Sequence, residues 1–283
     1  MHISLDSALG RQRRLNSVGE SVLQIAPNAA AAYSLRSLTG GDPKVVRVRR
    51  DTGGGAGDND EQDFTASGIS SGALVAFVGS GNDGFVETWY DQSGNGNDAV
   101  QETAGSQPKI VSSGSLNTSG GLEFDGSDDL FSLTSNISFE NKAGCVFSLQ
   151  DGQTSSNNFT LGTSSSNRGI GFRNIQTRWF YTTNAIDIDN SSPPSGLALF
   201  TALHDGTTND PNVKAFVNGS LIVDGSPDAN QGEANVSTAA NQIGARRALS
   251  FLEGTVKEII IYDTDQTNNR AALETEIISH YGL

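Results

Sequence analysis

Valine trades places with lysine or arginine across residues 44–50, the period-two signature of a half-buried strand. A second strand pattern, residues 85–90, is rich in aromatic and β-branched residues and runs into a polar, glycine-punctuated loop. Further apolar stretches at 108–111, 121–124 and 129–133 read as strands, with Asp125-Gly126 as a tight turn between the last two. Beyond them, strands are expected at 145–149, 159–161, 169–173, 179–182, 197–204, 213–217, 221–223 and 255–262. Asn218-Gly219 supplies the positive φ that a two-residue hairpin turn needs. Residues 29–38 read equally as a short helix or an extended entry. Only two stretches are clearly helical. Leu74, Phe77 and Val78 share a face within 71–78, which Gly79 and Gly81 stop. Leu273, Ile277 and Tyr281 form one stripe near the end, with Thr264 or Asp265 as the cap and Gly282 after the last turn. Short strands at close spacing with many turns predict an all-β antiparallel sandwich with short helices and a C-terminal helix.

Composition agrees with that pattern. The 283 residues suffice for one all-β domain, and 33 glycines with only 18% charged residues suit a chain of turns and strands. Residues 1–30 depart from it. They carry Arg11, Arg13 and Arg14, with Leu5, Leu9, Leu15 and Val18 spread between them and no glycine-rich turns. We read 1–30 as an anchoring arm that docks on neighbouring subunits, and 31–283 as the sandwich domain. The formal net charge of -14 argues against nucleic acid or an anionic membrane as partner, because phosphate affinity comes from clustered Lys and Arg. No run of 18 apolar residues and no apolar leader segment is present, so neither a membrane-spanning helix nor a signal peptide is expected.

Candidate chemistry is sparse. Cys145 is the single cysteine and sits in an apolar strand, where it reads as a small buried hydrophobe. Asp58, Asp60, Glu61 and Asp63 offer oxygens for a calcium ion, but without the twelve-residue pattern of a helix-loop-helix site; a solvated loop is the alternative. No other metal and no cofactor is expected. Asp128 with Asp129 and Asp187 with Asp189 are acidic pairs; strand alternation would hold the latter roughly 7 Å apart on one face. His2, His204 and His280 have no nucleophile motif around them, and Gly53-Gly54-Gly55 lacks the lysine of a phosphate-binding loop. A sugar-stacking site would draw on Arg173, Trp179 and Tyr181, with burial of Trp179 as the competing fate.

Three runs, in order, carry a resemblance: Ala32-Tyr33-Ser34-Leu35-Arg36, Arg47-Val48-Arg49-Arg50, and Tyr90-Asp91-Gln92-Ser93-Gly94-Asn95-Gly96. Together with Phe124-Asp125-Gly126 and the ending from Gly254 onward, they resemble the catalytic domain of the α-L-arabinofuranosidase B family. They are equally similar to a set of bacteriophage structural proteins carrying a concanavalin-like (laminin-G-like) sandwich. The resemblance spans roughly residues 30 to 283 and assigns the Tyr90–Gly96 loop a structural role. In the glycosidases it implies a glutamate nucleophile shortly before a Leu-Gly, and an aspartate acid and base after an Ile-Gly-Gly. The matching runs here are Asn157-Asn158-Phe159-Thr160-Leu161-Gly162 and Ile243-Gly244-Ala245-Arg246-Arg247, neither with a carboxylate. The adjacent cysteine pair of that family is missing as well. The expectation is therefore a non-enzymatic virion protein, a head decoration or tail surface component. It would assemble in the host cytoplasm, form a homo-oligomer and bind other capsid or tail proteins at the virion surface. The alternatives are an adhesin or tail-fibre protein that binds host-surface glycan, and a glycoside hydrolase of arabinofuranosidase type.

Overall fold

The computed structural model describes residues 20–118, 120–139, 142–151, 157–164, 169–173, 176–179, 186–187, 196–204, 213–225, 239–247 and 249–283. Its spine is the strand Glu253–Tyr262. Val256, Ile259 and Ile261 face one core, while Ile260 and Tyr262 face another, so the strand is buried on both sides. That explains its unbroken apolar run over residues 259–262, because a strand covered on both faces loses the alternation a half-exposed strand shows.

Gly144–Asp151 pairs antiparallel along one edge of the spine. The opposite edge is shared by Ala31–Ser34, which pairs Ala31 with Ile261, and Leu122–Asp125, which pairs Asp125 with Glu253. Ala198–His204, Val213–Val217 and Ser220–Gly225 extend this layer outward. The facing layer starts at Glu61–Thr65 and Lys44–Asp51, passes through Asp83–Trp89 and Ala99–Val100, and continues to Phe131–Ile137, Ala240–Ile243 and Asn157–Gly162. Gly169–Arg173, Gln176–Trp179 and Ile186–Asp187 complete it. Between the layers an aromatic chain runs through Tyr33, Trp89, Phe131 and Phe124, with neighbouring ring centroids 5.6 to 6.3 Å apart. On the other side of the spine the helix Arg270–Tyr281 lays Leu273 and Ile277 against Cys145, Phe147 and Leu149. Cys145 is fully buried, and burial pushes its thiol well above the ordinary range, consistent with an inert packing residue.

Several expectations need correction. Residues 31–34 are a strand with all four positions buried, because they close the spine's edge. The packed chain begins before residue 31: Val22, Ala26 and Ala29 belong to the core around the C-terminal helix. The arm residues Leu5, Leu9, Arg11, Arg13, Arg14, Leu15 and Val18 lie outside the described residues. The acidic loop after residue 51 is shorter than expected, since Glu61–Thr65 pairs with Lys44–Asp51. The helix expected over 71–78 is present as Ala73–Val78, stopped at Gly79 as expected, and a second short helix, Ala66–Ser70, precedes it across Gly72 with φ 83°. Asp125-Gly126 does not join paired strands. It carries the chain from one layer to the other, Leu122–Asp125 pairing with the spine and Phe131–Ile137 with Ala240–Ile243. Of the strand expected at 179–182 only Trp179 is described, within Gln176–Trp179, and 180–182 lie outside the described residues; the last helix starts after Asn269 rather than near Thr264. Asn218 and Gly219 do make the expected hairpin turn, at φ 47° and 76°.

Candidate functional site

Three places can be weighed: the Tyr90–Gly96 loop, the seam where the two glycosidase-like runs meet, and an acidic crossover beside an open groove.

The loop is a bracket. Asp91 accepts four hydrogen bonds: from the Ala32 and Ser93 amides at 2.8 and 2.9 Å, the Ser93 hydroxyl at 2.7 Å and the Asn97 amide at 3.0 Å. Gln92 is buried and accepts from the Leu38 amide at 2.8 Å while donating to the Ser34 and Arg36 carbonyls at 3.0 and 2.9 Å. Asn95 donates to the carbonyls of Ala29 and Ala30 at 2.8 and 3.2 Å. The short polar residues thus bond their own backbone, as their type allows, and also clamp residues 29–38.

The arginines of the other two runs are likewise engaged. Arg36 meets Glu258 at 2.7 Å and Glu276 at 2.5 Å, tying strand, spine and last helix together. Arg47 reaches Asp63 at 2.9 Å, Arg49 reaches Gln107 at 2.8 Å and Arg50 reaches Asp60 at 2.5 Å. The same contacts correct the calcium expectation at 58–63. Lys44 and Arg47 put cationic nitrogens on Asp63, Arg50 does so on Asp60, and Asp58 accepts from the Thr52 amide at 2.8 Å. Burial opposes ionisation of Asp63, but hydrogen bonds from Lys44, Tyr90 and Arg47 hold its carboxyl down to about 2.

The two glycosidase-like runs, far apart in sequence, do meet. Leu161 pairs with Ile243 and Gly162 with Gln242, while the Gly244 amide donates to the Thr160 carbonyl at 3.0 Å. Packing accounts for both glycines. A Cβ on Gly162 would lie 2.1 Å from the Ala245 carbonyl oxygen, and one on Gly244 would lie 2.3 Å from the Phe124 ring. The side chains described at the seam are amides, hydroxyls and guanidinium groups. Thr160 donates to Gln150, which also accepts from Ser148 at 3.0 Å, and Gln242 is buried with its Oε1 unpartnered. Residues 152–164 and 239–252 contain no Asp or Glu.

The third place was half visible as the Asp128 and Asp129 pair. Asp125, Asp128 and Asp129 converge so that one carboxylate oxygen of each lies within 4.8 Å of the others, the one such acidic cluster among the described residues. Asp129 is 6% exposed and accepts from the Asp125 amide at 2.9 Å. Burial, then the charges of Asp125, Asp128 and Glu123, push its carboxyl up to about 7. Beside it an open groove of about 810 Å³ is lined partly by Glu123, Asp125 and Glu253. A perturbed carboxyl beside a cleft is a recognised signature of function. Here, though, Asp125 spends one oxygen on the Ser127 and Asp128 amides, which fixes the turn, and the aromatic ring on the groove wall, Phe124, is buried. We read the cluster as a structural crossover under electrostatic strain.

The remaining sequence candidates fall at the far edge of the second layer. Arg173 and Trp179 lie in paired strands, Ile170 opposite Trp179 and Arg173 opposite Gln176, but only their backbones are described. Tyr181 lies outside the described residues. Asp187 pairs with Arg178 in the strand register, and Asp189 lies outside the description.

These features define an antiparallel β-sandwich of concanavalin-like type, closed by a C-terminal helix. No protein-family model and no curated protein matches the chain. Solved structures do. An arabinofuranosidase complexed with arabinofuranosyl-alpha-1,2-xylobiose superposes with a TM-score of 0.61 at 15% identity, covering 89% of this chain and 62% of that one. A GH54 α-L-arabinofuranosidase soaked with a cyclic sulfate inhibitor gives 0.58 at 14%, covering 91% and 64%. The chain therefore spans less than two thirds of either structure's length, and at such identities the likeness shows the fold alone.

Proposed function

We propose that this chain is a non-catalytic structural protein of a bacteriophage particle, a head decoration or tail surface component anchored by its N-terminal residues. The observation that carries the reading is the seam. Where the resemblance to arabinofuranosidases implies two carboxyl groups, this chain carries Asn157-Asn158-Phe159-Thr160 and the arginine pair that follows Ala245, in runs whose strands pair. An amide cannot form a glycosyl ester, and a guanidinium cannot deliver a proton at neutral pH. The resemblance to phage proteins supplies the particle. The three motif runs support it by serving the fold: their arginines, Asp91 and Gln92 are committed to internal bonds. Neighbours in the particle would be other capsid or tail proteins and further copies of the chain.

Two measurements test this. A chain lacking residues 1–19 is expected to fold and stay soluble, yet to be absent from purified particles; normal incorporation would remove the anchoring role. Incubated with aryl α-L-arabinofuranosides, the intact chain should release no phenol above buffer. Steady turnover abolished by Asp129→Asn or Asp187→Asn would instead establish a glycosidase. Glycan-array binding lost in Trp179→Ala would move the assignment to an adhesin.

A further inference from the structure

The chain contains two Asn-Gly dipeptides, Asn95-Gly96 and Asn218-Gly219; both are exposed and both asparagine side chains are hydrogen-bonded, but only the second has a helix packed against its turn. We propose that Asn95 is a site of spontaneous deamidation that loosens the root of the N-terminal segment, while Asn218 is protected.

The chemistry needs only water. The Gly96 backbone nitrogen, losing its proton to base, attacks Cγ of Asn95. The new N–Cγ bond closes a five-membered succinimide as the Cγ–Nδ2 bond breaks and ammonia departs. Water then opens the ring at either carbonyl, leaving aspartate or isoaspartate. The net change is asparagine plus water to a carboxylic acid plus ammonia, with no oxidant or cofactor.

At residue 95 ring closure needs only the release of Asn95 Nδ2 from the Ala29 and Ala30 carbonyls, after which nothing crowds it. Asn95 and Gly96 are both exposed, and a Cβ built on Gly96 meets nothing within 4 Å. Among the described residues the Gly96 amide makes no hydrogen bond, whereas its carbonyl accepts from the Thr134 hydroxyl at 3.1 Å. At residue 218 the path is obstructed. Asn218 Oδ1 accepts from the Leu199 amide at 2.8 Å, and its own amide donates back to the Leu199 carbonyl at 2.9 Å, which clamps the side chain to the neighbouring strand. Ile278 and the Glu274 carboxyl of the last helix lie in contact over Gly219, 3.7 and 3.8 Å from a Cβ built there, so the turn has less room to rearrange.

The consequence follows from what Asn95 holds. Its amide is the donor to the Ala29 and Ala30 carbonyls. A carboxylate has no donor and would face two carbonyl oxygens, so the segment leading into Ala31–Ser34 loses its brace.

The intact chain is incubated at pH 8.5 and 37 °C, and peptides are mapped by mass spectrometry for the 1 Da gain and for isoaspartate. Conversion at Asn95 should exceed that at Asn218 by about tenfold or more, whereas the urea-unfolded chain should convert both at similar rates. Asn95 remaining intact while the unfolded chain converts, or Asn218 converting first, overturns the proposal. Hydrogen exchange on Asn95→Asp should rise at residues 29–31 relative to wild type; unchanged exchange overturns the loosening. Asn95→Gln should show no early mass gain at that peptide, and an equal gain there would assign it to another residue.

Discussion

Asp129→Asn is expected to flatten the dependence of stability on pH and to leave the chain more stable than wild type at pH 8. The Asp129 carboxyl is raised to about 7 by burial and by its acidic neighbours, against 3.8 for the free group. Between those values the folded chain holds a proton that the unfolded chain has lost, so its stability contribution is full below about pH 4 and disappears as pH climbs through 7. A shift of that size corresponds to about 4 kcal/mol if fully expressed. Water reaching the exposed Asp125 and Asp128 should reduce it to about half. Asparagine keeps an acceptor for the Asp125 amide and places its amide hydrogens toward the neighbouring carboxylates, so little should change at pH 5. Urea midpoints at pH 5 and pH 8 for both chains decide it, and parallel profiles would mean that Asp129 ionises normally. Asp63 works in the opposite direction: its carboxyl is held near 2, so its contribution exists above about pH 4 and is lost only in strong acid.

The second large effect belongs to Gln92. Gln92→Ala should cost about 3 kcal/mol, because it strands the buried Leu38 amide and removes the donor shared by the Ser34 and Arg36 carbonyls. Gln92→Glu provides the sharper test. It fits the space and can accept from Leu38, but at neutral pH it offers the two carbonyls a charge instead of a donor. Its deficit should shrink as pH falls toward about 4, because protonation in the folded chain returns one donor, and stay level below that. A loss under about 1 kcal/mol for Gln92→Ala would show that water substitutes for the side chain.

What could be read from the sequence was what periodicity encodes. Val46, Arg47 and Val48 alternate between buried and half-buried positions, residues 259–262 run apolar because both faces are covered, and Asn218-Gly219 announces its turn by needing positive φ. Ala99–Val100 and Ser115–Leu116 are too short to hold any period, so they were invisible. Glu61–Thr65 was hidden because charge dominates an edge strand that pairs on one side with Lys44–Asp51. The candidate site was legible as chemistry and illegible as geometry. The runs at 161–162 and 243–247 could be compared with a glycosidase on paper, yet only strand pairing shows that they touch. Asp129 could be named as one of a pair, but its altered ionisation comes first from burial and then from the charge of Asp125, which only the folded turn brings beside it.

The spine also fixes an order of events on the ribosome. Its partners, 31–34, 122–125 and 144–151, are synthesised well before Glu253–Tyr262 exists, and Ser34 and Glu258, which share a hydrogen bond, stand 224 positions apart. During translation these early segments must wait with unpaired edges exposed, the state in which nascent chains attract chaperones or one another. Any truncation short of residue 253 would leave both cores without their shared wall.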